Sequence, residues 1–143
     1  MKKNIYLVVM IFVLLVCAII FTGCVPKTPK PDLVPVNPQG WAGFCDVDHS
    51  ATAGGPHGDL RVHIKNQGDA PAGSSHVKVS FGQYGEFIKP VPALAVGETV
   101  TVLFSIPTGC FNPDCGFEIT VDALDEVKES NELNNSQFGN CLG

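Results

Sequence analysis

The sequence predicts an all-β domain, an antiparallel sandwich of two sheets with about seven strands. Three observations predict it. Short segments alternate apolar and polar residues with period two, and Gly, Pro and Asn clusters break them at intervals of about ten residues. Beyond the first thirty or so residues, no stretch carries a helical apolar stripe of useful length.

The elements follow in order. Asp32-Leu33-Val34 and Trp41 to Val47 form the early strands. Leu60, Val62 and Ile64 alternate with Arg61, His63 and Lys65 until Asn66-Gln67-Gly68-Asp69 turns the chain. Val77, Val79 and Phe81 alternate with Lys78 and Ser80 and end at Gly82. Val100, Val102 and Phe104 share one face, and Pro107-Thr108-Gly109 stops that run. Phe117, Ile119 and Val121 alternate with Glu118 and Thr120, and Gln137 to Leu142 supplies a final strand. These apolar positions form the expected core, joined by Val127 and Phe138.

The N-terminus is of a different kind. Lys2-Lys3, an apolar run from Ile5 to Phe21 and Thr22-Gly23-Cys24 make an export signal whose cut leaves an acylatable cysteine. Residues 1–23 are read as a lipoprotein signal peptide, 24–31 as a Pro-rich tether and 32–143 as the sandwich domain. The rival is an uncleaved anchor, since the run is nearly long enough to span a bilayer. The small residues before Cys24 and the prolines that follow favour cleavage. Lipidation at Cys24 places the protein outside the cytoplasm on a membrane, whether inner or outer.

Charge narrows the partners. The signal carries away Lys2 and Lys3, leaving seven basic against fourteen acidic residues, a net charge of −7. Such a chain repels phosphate backbones, and no Lys/Arg cluster overrides this, so nucleic acid is excluded as a partner. Anchoring must come from the lipid.

Cys17 falls in the signal and Cys24 carries the lipid, which leaves Cys45, Cys110, Cys115 and Cys141. An even count in an exported chain reads as two disulfides, with three connectivities open. Cys110 and Cys115 bracket the turn-forming Asn112-Pro113-Asp114, and pairing them leaves Cys45 for Cys141. A zinc site on Cys110, Cys115 and a His is the rival, but nothing completes its ligand set.

The segment Asp122-Ala123-Leu124-Asp125-Glu126-Val127-Lys128-Glu129-Ser130-Asn131-Glu132-Leu133-Asn134-Asn135 resembles the closing motif of the CARDB family, a cell-adhesion-related domain found in bacteria. Pro31-Asp32-Leu33, the Val62 to Gly68 segment and Leu94-Ala95-Val96-Gly97-Glu98-Thr99-Val100 agree with it in order. The resemblance implies an immunoglobulin-like sandwich displayed outside the cell, commonly as one of several repeats. This chain departs from that habit in its single copy, its tether and its four cysteines.

The closing motif also stands on its own chemistry. Asn and Glu side chains can bond nearby backbone groups in a turn, and Asn131, Asn134 and Asn135 tolerate left-handed backbone. The sharper expectation is calcium, for which Asp122, Asp125, Glu129 and Glu132 offer hard oxygens within a short span. Catalysis finds little footing, with no nucleophile elbow, phosphate loop or paired metal histidines. Gly73-Ser74-Ser75-His76 reads as a polar turn, and His49 and His57 flank a Gly-rich loop without ligand spacing. Asn134-Asn135-Ser136 matches a glycosylation acceptor by a short pattern only.

The sequence therefore reads as a non-catalytic interaction or adhesion module whose partner is a surface protein or glycan. Phe111, at the tip of the Cys110–Cys115 loop, is the expected contact residue, and no cofactor is required. The alternatives are a passive spacer and a carbohydrate- or calcium-binding surface module.

Overall fold

The computed structural model describes residues 27–37, 43–49 and 58–143. The export signal, Cys24, Trp41 and His57 lie outside the described residues. Among the described residues eight strands appear: β1 (Leu33–Val36), β2 (Val47–Asp48), β3 (Asp59–Asn66), β4 (Ser75–Ser80), β5 (Glu86–Val91), β6 (Thr99–Ser105), β7 (Cys115–Thr120) and β8 (Ser136–Cys141). All pairings are antiparallel. One sheet places β3 between β6 and the pair β1 and β2, and the other runs β5-β4-β7-β8. The result is the antiparallel two-sheet sandwich that the alternation predicts, immunoglobulin-like as the family resemblance implies.

Period two explains the core. Leu60, Val62 and Ile64 of β3 meet Val77 and Val79 of β4, with Phe117, Ile119 and Val121, in one buried cluster. Phe104 is buried with them, while Val100 and Val102 are half-buried at the rim of the same cluster. Phe81 lies between Phe87 and Phe117, its ring centroid 6.1 Å from each.

Three expectations are corrected. Phe138 is not a core residue but 75% exposed. In the β7–β8 register Phe117 faces Gly139 and Glu118 faces Phe138. A side chain at Gly139 would collide with the Phe117 ring, so glycine takes the inward position and Phe138 points out. The second correction is β5, which period-two reading overlooks because Glu86 to Pro90 are all exposed. Pro90 is tolerated because β5 is an edge strand. Third, only Val47 of the early Trp41 to Val47 run is strand among the described residues, where it opens the short β2. Phe44 and Cys45 instead pack half-buried against the core.

Both cysteine pairs form as expected, Cys45 with Cys141 and Cys110 with Cys115. Both sit at the end of the sandwich where β7 begins and β8 ends.

Candidate functional site

The opposite end, where β3 ends and β8 begins, gathers the polar residues of the closing motif. Asp122 takes a left-handed conformation (φ 47°), as does Asp125 (φ 55°). Asn131, Asn134 and Asn135, which tolerate that conformation, do not adopt it. The strained turn is fixed from within: the Asp122 carboxylate accepts the N–H groups of Glu126 (3.0 Å) and Val127 (2.9 Å). That geometry drives Val127 into the core, 7% exposed.

Glu129 is the centre of the arrangement. It is 3% exposed. One carboxylate oxygen accepts the backbone N–H of Leu33, and the other accepts Nδ2 of Asn135 at 3.2 Å. Glu132 in turn accepts the Glu129 N–H at 2.8 Å. Ser130 N–H donates to Pro31 O at 2.8 Å, and Asn134 Nδ2 to Asp32 Oδ1 at 3.0 Å. The closing turn is thereby bound to the point where the chain enters the domain.

A second buried residue completes the clasp. Asn66 is fully buried, and its Oδ1 accepts the N–H groups of Asp32 and Gly68. Its Nδ2 donates to Ala70 O (2.8 Å) and Leu94 O (3.2 Å). A Cβ at Gly68 would lie 2.5 Å from backbone atoms of Lys30, Pro31 and Asp32, so only glycine permits this approach. Four sequence segments around Asp32, Asn66, Leu94 and Glu129 therefore meet at one pole.

The electrostatics are poised. Burial pushes the Glu129 carboxyl from 4.5 up to about 7, and the Glu132 and Asp122 charges add to this. The Leu33 N–H and the Asn135 amide oppose the shift without cancelling it. Oxygens of Asp122, Glu129 and Glu132 lie within 4.8 Å of one another, while Asp125 does not join the group. Oδ1 of Asn134 and of Asn135 are buried without a donor. Hard oxygens of this kind suit a divalent cation such as calcium, although the oxygens of Asp122 and Glu129 each already accept an N–H.

Elsewhere the structure separates the sequence candidates. Phe111 is half-buried and packs on the core rather than standing free at a loop tip. It lines a cavity of about 220 Å³ with Cys45, Val47, His49, Cys141 and Leu142. His76 pairs with Glu126 at 2.7 Å. Sequence reasoning missed a polar network on the outer face of β3. There His63 bridges Asp46 (2.9 Å) and Thr101 (2.8 Å), and Arg61 reaches Asp46 and Asp48. The outward positions of β3 were its one sequence signal, since alternation places Arg61 and His63 on a shared face.

Fold and pole together define an immunoglobulin-like sandwich closed by a polar clasp, and its two disulfides mark a chain that folds in an oxidising, extracytoplasmic compartment. The CARDB family model matches residues 30–138, and the chain belongs to that family. Two solved structures share the fold. A domain named for a cell surface protein of Methanosarcina acetivorans, solved by NMR, is 22% identical with TM-score 0.60, covering 79% of this chain and 91% of that one. The CARDB domain of a Pyrococcus furiosus protein, crystallised in complex with di-metal ions, is 21% identical with TM-score 0.50, covering 82% and 96%. No curated protein matches the chain.

Proposed function

We propose that this protein is a lipid-anchored, extracytoplasmic interaction module without catalytic activity. Cys24 carries the lipid, residues 24–31 form the tether, and the sandwich binds a surface protein or glycan. The observation that carries the reading is the polarity of the domain. The tether joins at the clasp, where Lys30 O accepts the Asp69 N–H and Pro31 O accepts the Ser130 N–H. The disulfide pole, with Leu142 79% exposed beside the Phe111 cavity, therefore faces away from the membrane. An exposed apolar side chain beside a cavity is the kind of anchor that interfaces use. A photo-crosslinker at position 142, compared with one at Thr120 on the outer face of β7, tests this in intact cells. Enrichment of one partner at 142 alone is the expected result; equal labelling at both positions favours a passive spacer.

A second reading is calcium binding at the clasp, favoured by the grouped oxygens of Asp122, Glu129 and Glu132. The metal-bound Pyrococcus domain lends it support by fold alone. A bound cation would hold Glu129 ionised and tighten the turn. A melting temperature that rises in millimolar calcium relative to chelator supports this reading, and an unmoved one removes it.

A further inference from the structure

The turns that join β5 to β6 and β7 to β8 close the pole where the tether enters. Both are bound to the clasp, through Gly97 N–H on Asn66 O and Ser130 N–H on Pro31 O, each at 2.8 Å. At their tips stand Val96, 55% exposed, Leu124, 53%, and Leu133, 95%. Among the described residues the other large apolar side chains left in the open lie on strands, apart from Leu142 at the far pole.

Each tip is held by its own turn. Leu133 N–H donates to Asn131 Oδ1 at 3.1 Å, and Asp125 N–H donates to Asp122 O at 3.0 Å across Leu124. Around Val96, Ala95 N–H donates to Glu98 Oε2 at 2.7 Å and Glu98 N–H to Ala95 O at 3.1 Å, with Gly97 at φ 78°. The core draws on the same segments through Leu94 and Val127 and leaves the three tips out. Apolar side chains fixed in water at three points around one tether gain nothing within this chain.

We propose that Val96, Leu124 and Leu133 dock into the bilayer that carries the lipid, so that the domain stands on its membrane by the clasp pole. The docking rests on the lipid-anchored reading above. Its occupant follows from the length of the tether and the place where it ends. Cys24 and Pro31 are seven residues apart, a reach of at most about 25 Å when fully extended. Pro31 is bonded to Ser130, three residues before Leu133. A tether this short holds the tips beside the membrane at an effective concentration on the order of millimolar, so even weak apolar insertion suffices. Charge does not draw this pole to a membrane, since its turns carry Glu98, Asp125, Glu126 and Glu132 against Lys128. The contact is therefore apolar and suits a zwitterionic surface better than an anionic one.

NMR of the full, acylated chain in phosphatidylcholine nanodiscs, with a nitroxide on some of the lipid acyl chains, tests the docking. The methyl signals of Val96, Leu124 and Leu133 should be lost to broadening while those of Leu142 persist. Leu124→Gln with Leu133→Gln, both at exposed positions, should leave the melting temperature unchanged and restore the Val96 signals. That variant should still float with phosphatidylcholine vesicles through its lipid. A chain that floats with its three tips no more broadened than Leu142 overturns the docking and leaves the anchoring intact. Val96 signals that stay broadened in the double variant overturn it as well. So does broadening that grows as anionic lipid replaces phosphatidylcholine, which would assign the contact to charge. A chain that neither gains a lipid at Cys24 nor floats overturns the anchoring reading, and the docking falls with it.

Discussion

The two poles of this sandwich are held by different chemistry. At the tether pole, buried Glu129 and Asn66 collect backbone N–H and C=O groups from three separate segments, around Asp32, Gly68 and Leu94. At the far pole, Cys45–Cys141 and Cys110–Cys115 make covalent links around the same β7 and β8 strands. The difference is one of reversibility. A disulfide acts chiefly by restricting the unfolded chain, whereas the clasp acts in the folded state and responds to protonation.

Breaking the covalent pole has the largest expected effect. The Cys45–Cys141 bridge spans 96 residues, so Cys45→Ser with Cys141→Ser should lower stability by about 4–5 kcal/mol in urea unfolding. The bridge between Cys110 and Cys115 closes only a short loop, and its removal should cost about 2 kcal/mol by the same measurement.

The clasp breaks differently, through pH. Glu129 has a folded pKa of about 7 against an ordinary 4.5, so the folded state holds the proton more tightly. Its favourable contribution is complete below about pH 4.5 and is lost as pH rises through about 7, a change on the order of 3 kcal/mol. Unfolding free energy measured across that range should fall accordingly. Glu129→Gln should flatten the profile because the amide does not titrate, and the fold should accept it because the Asn135 amide can turn its unpaired Oδ1 toward the new donor. Glu129→Ala leaves the Leu33 N–H and Asn135 Nδ2 without an acceptor and should cost about 2–3 kcal/mol near pH 5. The smallest effect belongs to Phe138→Lys, expected within about 0.5 kcal/mol because the residue is exposed.

Alternation made most of the sandwich readable in advance. Leu60 to Ile64 and Phe117 to Val121 show period two cleanly because one face is buried and the other wet. β5 was hidden because an overhanging edge strand buries almost nothing, and Pro90 mimics a break. Phe138 was misplaced because hydrophobicity suggested burial, while the register had already given the inward position to Gly139. The closing motif was legible as a polar turn, but its bonds to Leu33, about a hundred residues away, are a tertiary fact that no local pattern carries.

The most direct test of the clasp is an NMR titration that follows the Glu129 carboxyl carbon together with the Leu33 amide. A shared midpoint near pH 7, with the Leu33 N–H moving as its acceptor protonates, is the predicted result. A carboxyl that titrates near its ordinary 4.5 while Leu33 stays still would contradict it.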